Sequence, residues 1–164
     1  MKSTRPNVFI PRKPLLVSAV LAALAVSPIA LATDDIDKES CSARTLRGVY
    51  QFHADGYVIM NGAALPKAII ETLIFDGRGN VSTPAVSLNV NGTVIQPPQG
   101  SPGIYTLDAD CTGTLTFGDG VMFDLQVKPT GKALNMLQTS PQNHVMQGTG
   151  LKVSSLSAWG GQFF

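Results

Sequence analysis

The chain has 164 residues, enough for one domain with a hydrophobic core, and only 14% of them are charged. Its 12 Lys+Arg stand against 11 Asp+Glu, with no basic run of the kind that nucleic-acid binding needs to displace counterions. Two histidines and two cysteines, with no paired ligand motif, leave a zinc site without support.

The first segment reads as a targeting signal. Lys2, Arg5, Arg12 and Lys13 precede an apolar run over 15–26, and Ala30-Leu31-Ala32 has the small-x-small pattern of a signal-peptidase site. Residues 1–32 are expected to be a signal peptide cut after Ala32. The run is short for a membrane span and Pro28 interrupts it, so no integral membrane segment is expected after cleavage. Cleavage removes four of the 12 basic residues and leaves 8 Lys+Arg against 11 Asp+Glu, a charge of −3. The mature protein is expected to be exported, either periplasmic or extracellular.

Residues 33–40 carry Asp34, Asp35, Asp37 and Glu39. They lack the spacing and glycine of a calcium loop and read as a flexible acidic tail. Cys41 then opens the domain, expected over 41–153. Two cysteines in an exported chain most simply pair with each other, which predicts a Cys41–Cys111 disulfide tying the entry of the first strand to the Asp110-Cys111 turn.

From residue 46 onward, short runs of Val, Ile, Thr, Phe and Tyr alternate with Gly, Asn, Asp and Pro. Strands are expected over 46–54, 67–75, 79–89, 92–96, 103–107, 113–117, 121–128, 133–138 and 144–152. Turns are expected at Asp76-Gly77-Arg78-Gly79-Asn80, Asn91-Gly92, Asp119-Gly120 and Thr130-Gly131-Lys132, which supply positive-φ residues. The proline-rich stretch 96–103 is expected to be a loop at an open end of the fold. No helical period of useful length appears. Eight or nine strands joined by short turns predict an all-β fold: a single antiparallel, mostly up-and-down barrel of about eight strands. A two-sheet sandwich suits the same strand count. Residues 154–164 read as a Ser/Gly-rich C-terminal tail.

Alternation places Val121, Phe123, Leu125 and Val127 on one face and Met122, Asp124, Gln126 and Lys128 on the other. The strand 67–75 is apolar on both faces, as a central strand would be. Glu71 falls on the face of Ile69, Leu73 and Phe75, where a carboxylate is either paired or at the mouth of a cavity. No nucleophile elbow or phosphate-cradling loop occurs. Asp108 and Asp110 alternate like a catalytic pair, but aspartates in turns usually bond their own backbone. No residue is therefore assigned a catalytic role, and no metal or cofactor is expected. The candidate ligand-lining residues are Tyr50, His53, Tyr57, Glu71 and Tyr105.

Three motifs, Thr45-Leu46-Arg47-Gly48-Val49-Tyr50, Phe75-Asp76-Gly77-Arg78-Gly79-Asn80 and Gly103-Ile104-Tyr105 through Asp110-Cys111-Thr112-Gly113-Thr114, together resemble a pattern in a group of small exported bacterial proteins. That resemblance implies a signal peptide and a β-barrel, and no assigned activity. In architecture the chain is also similar to calycin-like barrels, lipocalins and allene-oxide-cyclase-like barrels, with Tyr50 standing where lipocalins carry a tryptophan. The leading expectation is a barrel binding a small apolar ligand in its lumen or mouth. The alternatives are a structural or interaction module at the cell surface or periplasm, and a barrel enzyme of cyclase or isomerase type.

Overall fold

A computed structural model of the chain describes residues 40–159. The expected signal peptide, all of the acidic tail except Ser40, and the last five residues lie outside that range. Nine strands follow one another: β1 (Arg47–Met60), β2 (Ala63–Asp76), β3 (Asn80–Val90), β4 (Thr93–Ile95), β5 (Ser101–Leu107), β6 (Thr112–Phe117), β7 (Met122–Val127), β8 (Ala133–Ser140) and β9 (His144–Ser154). A 3-10 turn, Ala43–Thr45, precedes them and another, Leu156–Trp159, follows.

All pairings are antiparallel. The spatial order is β2-β1-β9-β8-β7-β6-β5-β3-β4, and β2 also pairs with β3. The sheet therefore closes on itself as an eight-stranded meander, with β4 appended outside the ring. Closure excludes the sandwich, which would leave two sheets with free edges.

The turns follow their chemistry. Asp76 explains the Phe-Asp-Gly-x-Gly-Asn motif. Its Oδ1 accepts from the backbone N–H of Arg78 at 2.6 Å and of Asn80 at 3.0 Å, and its Oδ2 accepts from Asn80 Nδ2 at 2.7 Å. These bonds hold its carboxyl below the usual range although burial opposes them. Asp110 Oδ1 likewise accepts from the N–H and hydroxyl of Thr112, at 3.0 and 2.7 Å.

Two strands are longer than the sequence suggests. β1 and β2 run to a tight hairpin at Asn61-Gly62, with φ of 51° and 78°, a type I′ signature. Gly56 and Pro66, which read as punctuation, lie inside these strands. Pro66 is tolerated because its carbonyl faces the β3 side, accepting from Asn91 N–H at 2.8 Å. The N–H it lacks thus falls just past the last β2–β3 rung, Lys67↔Val90. Nor is β2 doubly buried: in a ring every strand has an outer wall, and Ile70 is 66% exposed.

The interior is packed in layers. Tyr50, Phe75 and Tyr105 form the lowest, with edge-to-face ring pairs at 5.3 and 5.1 Å. Phe123 stands edge-on to Phe52 and Phe117 above them, at 6.3 and 6.2 Å. Leu115, Leu125, Leu134 and Met136 fill the remaining space. A Cβ on Gly150 would lie 2.7 Å from Leu134 Cδ2, so the glycine makes room for a large neighbour. On the outer face Val49 and its cross-strand partner Ile74 are also buried, outside the interior cluster. The C-terminal 3-10 turn, inside the segment expected to be a tail, packs on β1.

Candidate functional site

The two ends of the barrel differ. One is sealed. The Cys41–Cys111 disulfide is formed, with Cα atoms 5.0 Å apart. Cys41 N–H also donates to the Ala109 carbonyl at 3.1 Å, so the chain before β1 crosses the base. Tyr105 Oη lies 2.7 Å from the Ala43 carbonyl and 2.9 Å from that of Leu46. Tyr50 donates to the Gly131 carbonyl at 2.5 Å. Burial pushes both phenols up, that of Tyr105 to about 12.

The other end is a mouth. β3 is shared there: its first half, Asn80 to Thr83, pairs with β5, and its last part, Leu88 to Val90, pairs with the outlying β4. The wall is thus incomplete where β5 has not yet begun, and the loop carrying Pro97 and Pro98 crosses the gap. Behind it lies a cavity of about 180 Å³. Its apolar lining includes Ile69, Val86, Leu88, Phe117, Phe123 and Met146, and its polar lining Lys67, Glu71, Thr83, Asp119, Gln138 and His144. The proline-rich loop therefore lies at an open end, as its composition suggests.

Lys67 and Glu71 come from the inward face of β2, Gln138 from β8, His144 from the start of β9 and Asp119 from the β6–β7 turn. Lys67 is 8% exposed and Gln138 6%. Lys67 Nζ donates to Gln138 Oε1 at 3.3 Å and lies 3.1 Å from His144 Nδ1. Gln138 Nε2 lies 3.3 Å from the same Nδ1 and donates to the Ser140 carbonyl at 3.0 Å. With two donors converging on it, Nδ1 is the acceptor, and the network assigns the imidazole proton to Nε2. Burial and the neighbouring Lys67 cation hold His144 below its ordinary value. Burial also lowers Lys67, with Glu71 opposing. Glu71 is pushed up to about 8 by burial and by Asp119, against the pull of Lys67. The shift favours its protonated form near neutral pH.

Of the five candidate lining residues, the cavity holds Glu71 alone. Tyr50 and Tyr105 are at the sealed end, bonded to main chain. His53 and Tyr57 project from the outer wall, Tyr57 being 51% exposed. They border broad grooves there, the largest about 690 Å³ and open to solvent. The structure therefore does not gather the five into one place. Lys67, Gln138 and His144 join Glu71 instead. The alternation that put Glu71 on the inner face of β2 also puts Lys67 there, two inward positions earlier. That signal was in the sequence, but Lys67 sits at the edge of the apolar run, where a lysine normally marks a strand end.

Among the described residues, no group of three or more His, Cys, Asp or Glu side chains could hold a metal ion, and no helix is long and apolar enough to cross a membrane. No protein-family model and no curated protein matches the chain. Among solved structures, a de novo designed fluorescence-activating beta barrel is similar over 68% of this chain and 96% of that one, at 13% sequence identity and a TM-score of 0.43.

Proposed function

We propose that this protein is an exported binding barrel that holds a small molecule in the mouth cavity. The observation that carries the reading is the contrast inside one lumen. At the sealed end, polar groups are spent on main-chain carbonyls. At the mouth, Lys67, Gln138 and His144 are bonded to one another beside an apolar space that is left unfilled. Desolvating a lysine costs stability, and cavity walls forgo packing contacts, so a fold selected for stability alone would replace both with hydrocarbon. An apolar pocket with a few convergent polar groups is the usual form of a ligand site. Export is supported by the Cys41–Cys111 bridge, since disulfides persist in oxidising compartments, and by the leader-like composition of residues 1–32.

The reading is tested by native mass spectrometry of the protein purified without detergent from the exported fraction of its own host. A reproducible extra mass, released on denaturation and absent from a Val86→Trp variant that fills the cavity, is the expected result. A bare mass in both, with no small molecule protecting the mouth from hydrogen exchange, would move the function to a structural or interaction module. Recovery of the protein only from the cytoplasm, with its thiols reduced, would overturn export.

A further inference from the structure

We propose that the occupant is a short amphipathic monocarboxylate, its acid group held between Lys67 and Glu71 and its hydrocarbon body lying against Val86, Leu88, Phe117 and Phe123. This rests on the reading of the mouth cavity as a ligand site and names what the site selects.

Three observations carry it. First, Lys67 is a buried lysine that makes no ion pair with a described residue. Among the described residues no carboxylate oxygen lies within 4.0 Å of its Nζ, and its bonds go to two neutral acceptors. Of the three ammonium donors one is left over, in a residue that lines the cavity. Buried lysines are normally paired, and an incoming anion completes the set.

Second, Glu71 makes no hydrogen bond to a described residue, although it is on the cavity wall. The groups facing it are Lys67 on its own strand and Asp119 in the β6–β7 turn. His144 on β9 reaches it only through Lys67. In its protonated form Glu71 offers one O–H donor, which suits a carboxylate oxygen. Lys67 and Glu71 would then hold the two oxygens of one carboxylate. An amine would meet Lys67 with like charge, and an alcohol would leave the cation unpaired. Asp119 at the rim opposes a second negative charge.

Third, about 180 Å³ is well under the range of drug-sized pockets. With the apolar lining, that sets the body at a short alkyl chain or a single ring.

The probes are hexanoate, hexan-1-ol and hexylamine, matched in body and different in head. Each is titrated into the oxidised full chain, followed by amide NMR shifts of the cavity residues. Hexanoate should bind about 10-fold or more tightly than hexanol, in line with a charge-assisted bond, and hexylamine should not bind. Lys67→Met should abolish the acid's advantage while leaving hexanol binding. Hexanoate binding should weaken above about pH 8 as Glu71 ionises, and Glu71→Gln should make it flat across that range. Hexanol or hexylamine binding as well as hexanoate would overturn the proposal while the ligand-site reading stands. No cavity shift with any probe would overturn both. If Lys67→Met fails to fold, the acid-to-alcohol ratio on the unaltered chain still decides.

Discussion

The two ends of this barrel are built from the same eight strands and solve opposite problems. At the base, each buried phenol reaches a backbone carbonyl. Tyr105 serves Ala43 and Leu46, and Tyr50 serves Gly131. These are neutral groups bonded to main chain, and the disulfide locks the segment that carries Ala43 and Leu46. At the mouth, Lys67, Gln138 and His144 bond one another, and among the described residues no carboxylate pairs with the lysine. One end is bonded to the main chain that it seals, and the other leaves charged and polar groups beside an open cavity. A base of this kind tolerates little change, whereas the mouth should be improved by substitutions that remove its chemistry.

The largest expected effect is at the base. Phe75→Ala, which empties the ring slot between Tyr50 and Tyr105, should cost about 3–5 kcal/mol in urea unfolding. A loss under about 1 kcal/mol would mean that the lowest layer is not what holds the base together. Next, Cys41→Ser with Cys111→Ser should cost about 4 kcal/mol on the chain-entropy model, read as the difference in urea midpoint between double variant and oxidised parent. Tyr105→Phe removes the single O–H that the Leu46 and Ala43 carbonyls share and should cost about 1–3 kcal/mol. If it is neutral, water has taken the place of the hydroxyl.

At the mouth the sign changes. Lys67→Met should leave stability within about 1 kcal/mol of the parent or raise it. A loss as large as that at the base would erase the contrast between the ends. The subtlest test is pH. The pKa of Glu71 is raised on folding from 4.5 to about 8. The unfolded chain therefore releases its proton first, and this contribution to stability is complete below about pH 4.5 and is lost as pH rises towards about 8. Across that window urea midpoints of the parent should fall relative to those of Glu71→Gln. Parallel curves would show that Glu71 ionises as freely in the fold as outside it.

Much of the scaffold was legible in the sequence because its signals are local. A β-strand announces its faces every second residue, and Asp76, Asn91 and Gly120 sit in turns whose backbone angles few other residues accept. The Cys41–Cys111 pairing followed from there being only two cysteines. The hairpin at Asn61-Gly62 carried an equally local signal, but Gly56 and Pro66 masked the strands around it. Reading Pro66 correctly requires knowing which edge its missing N–H faces. The site was not legible in the same way. Gln138 and His144 lie 71 and 77 positions from Lys67, and only ring closure brings β8 and β9 round to face β2. Tyrosine was a misleading guide for a related reason. A phenol suits a ligand cavity and a main-chain plug equally well, and the choice depends on which end of its strand it occupies.

The bridge at the base has a mechanical consequence. β1 begins and β9 ends at the same end of the barrel, where Val49 pairs with Ser154. A pull on the two ends of the described chain therefore opens the β1–β9 seam rung by rung, as a zipper rather than in shear. The cross-link from Cys41 to Cys111 sets how far that opening can lengthen the molecule. Under oxidising conditions only the chain from Thr112 onward can be drawn out, releasing β6 to β9, while β1 to β5 stay inside a closed covalent loop that bears no tension. Reduction frees the whole length. Single-molecule force extension should register that change as a longer contour released after adding a reductant.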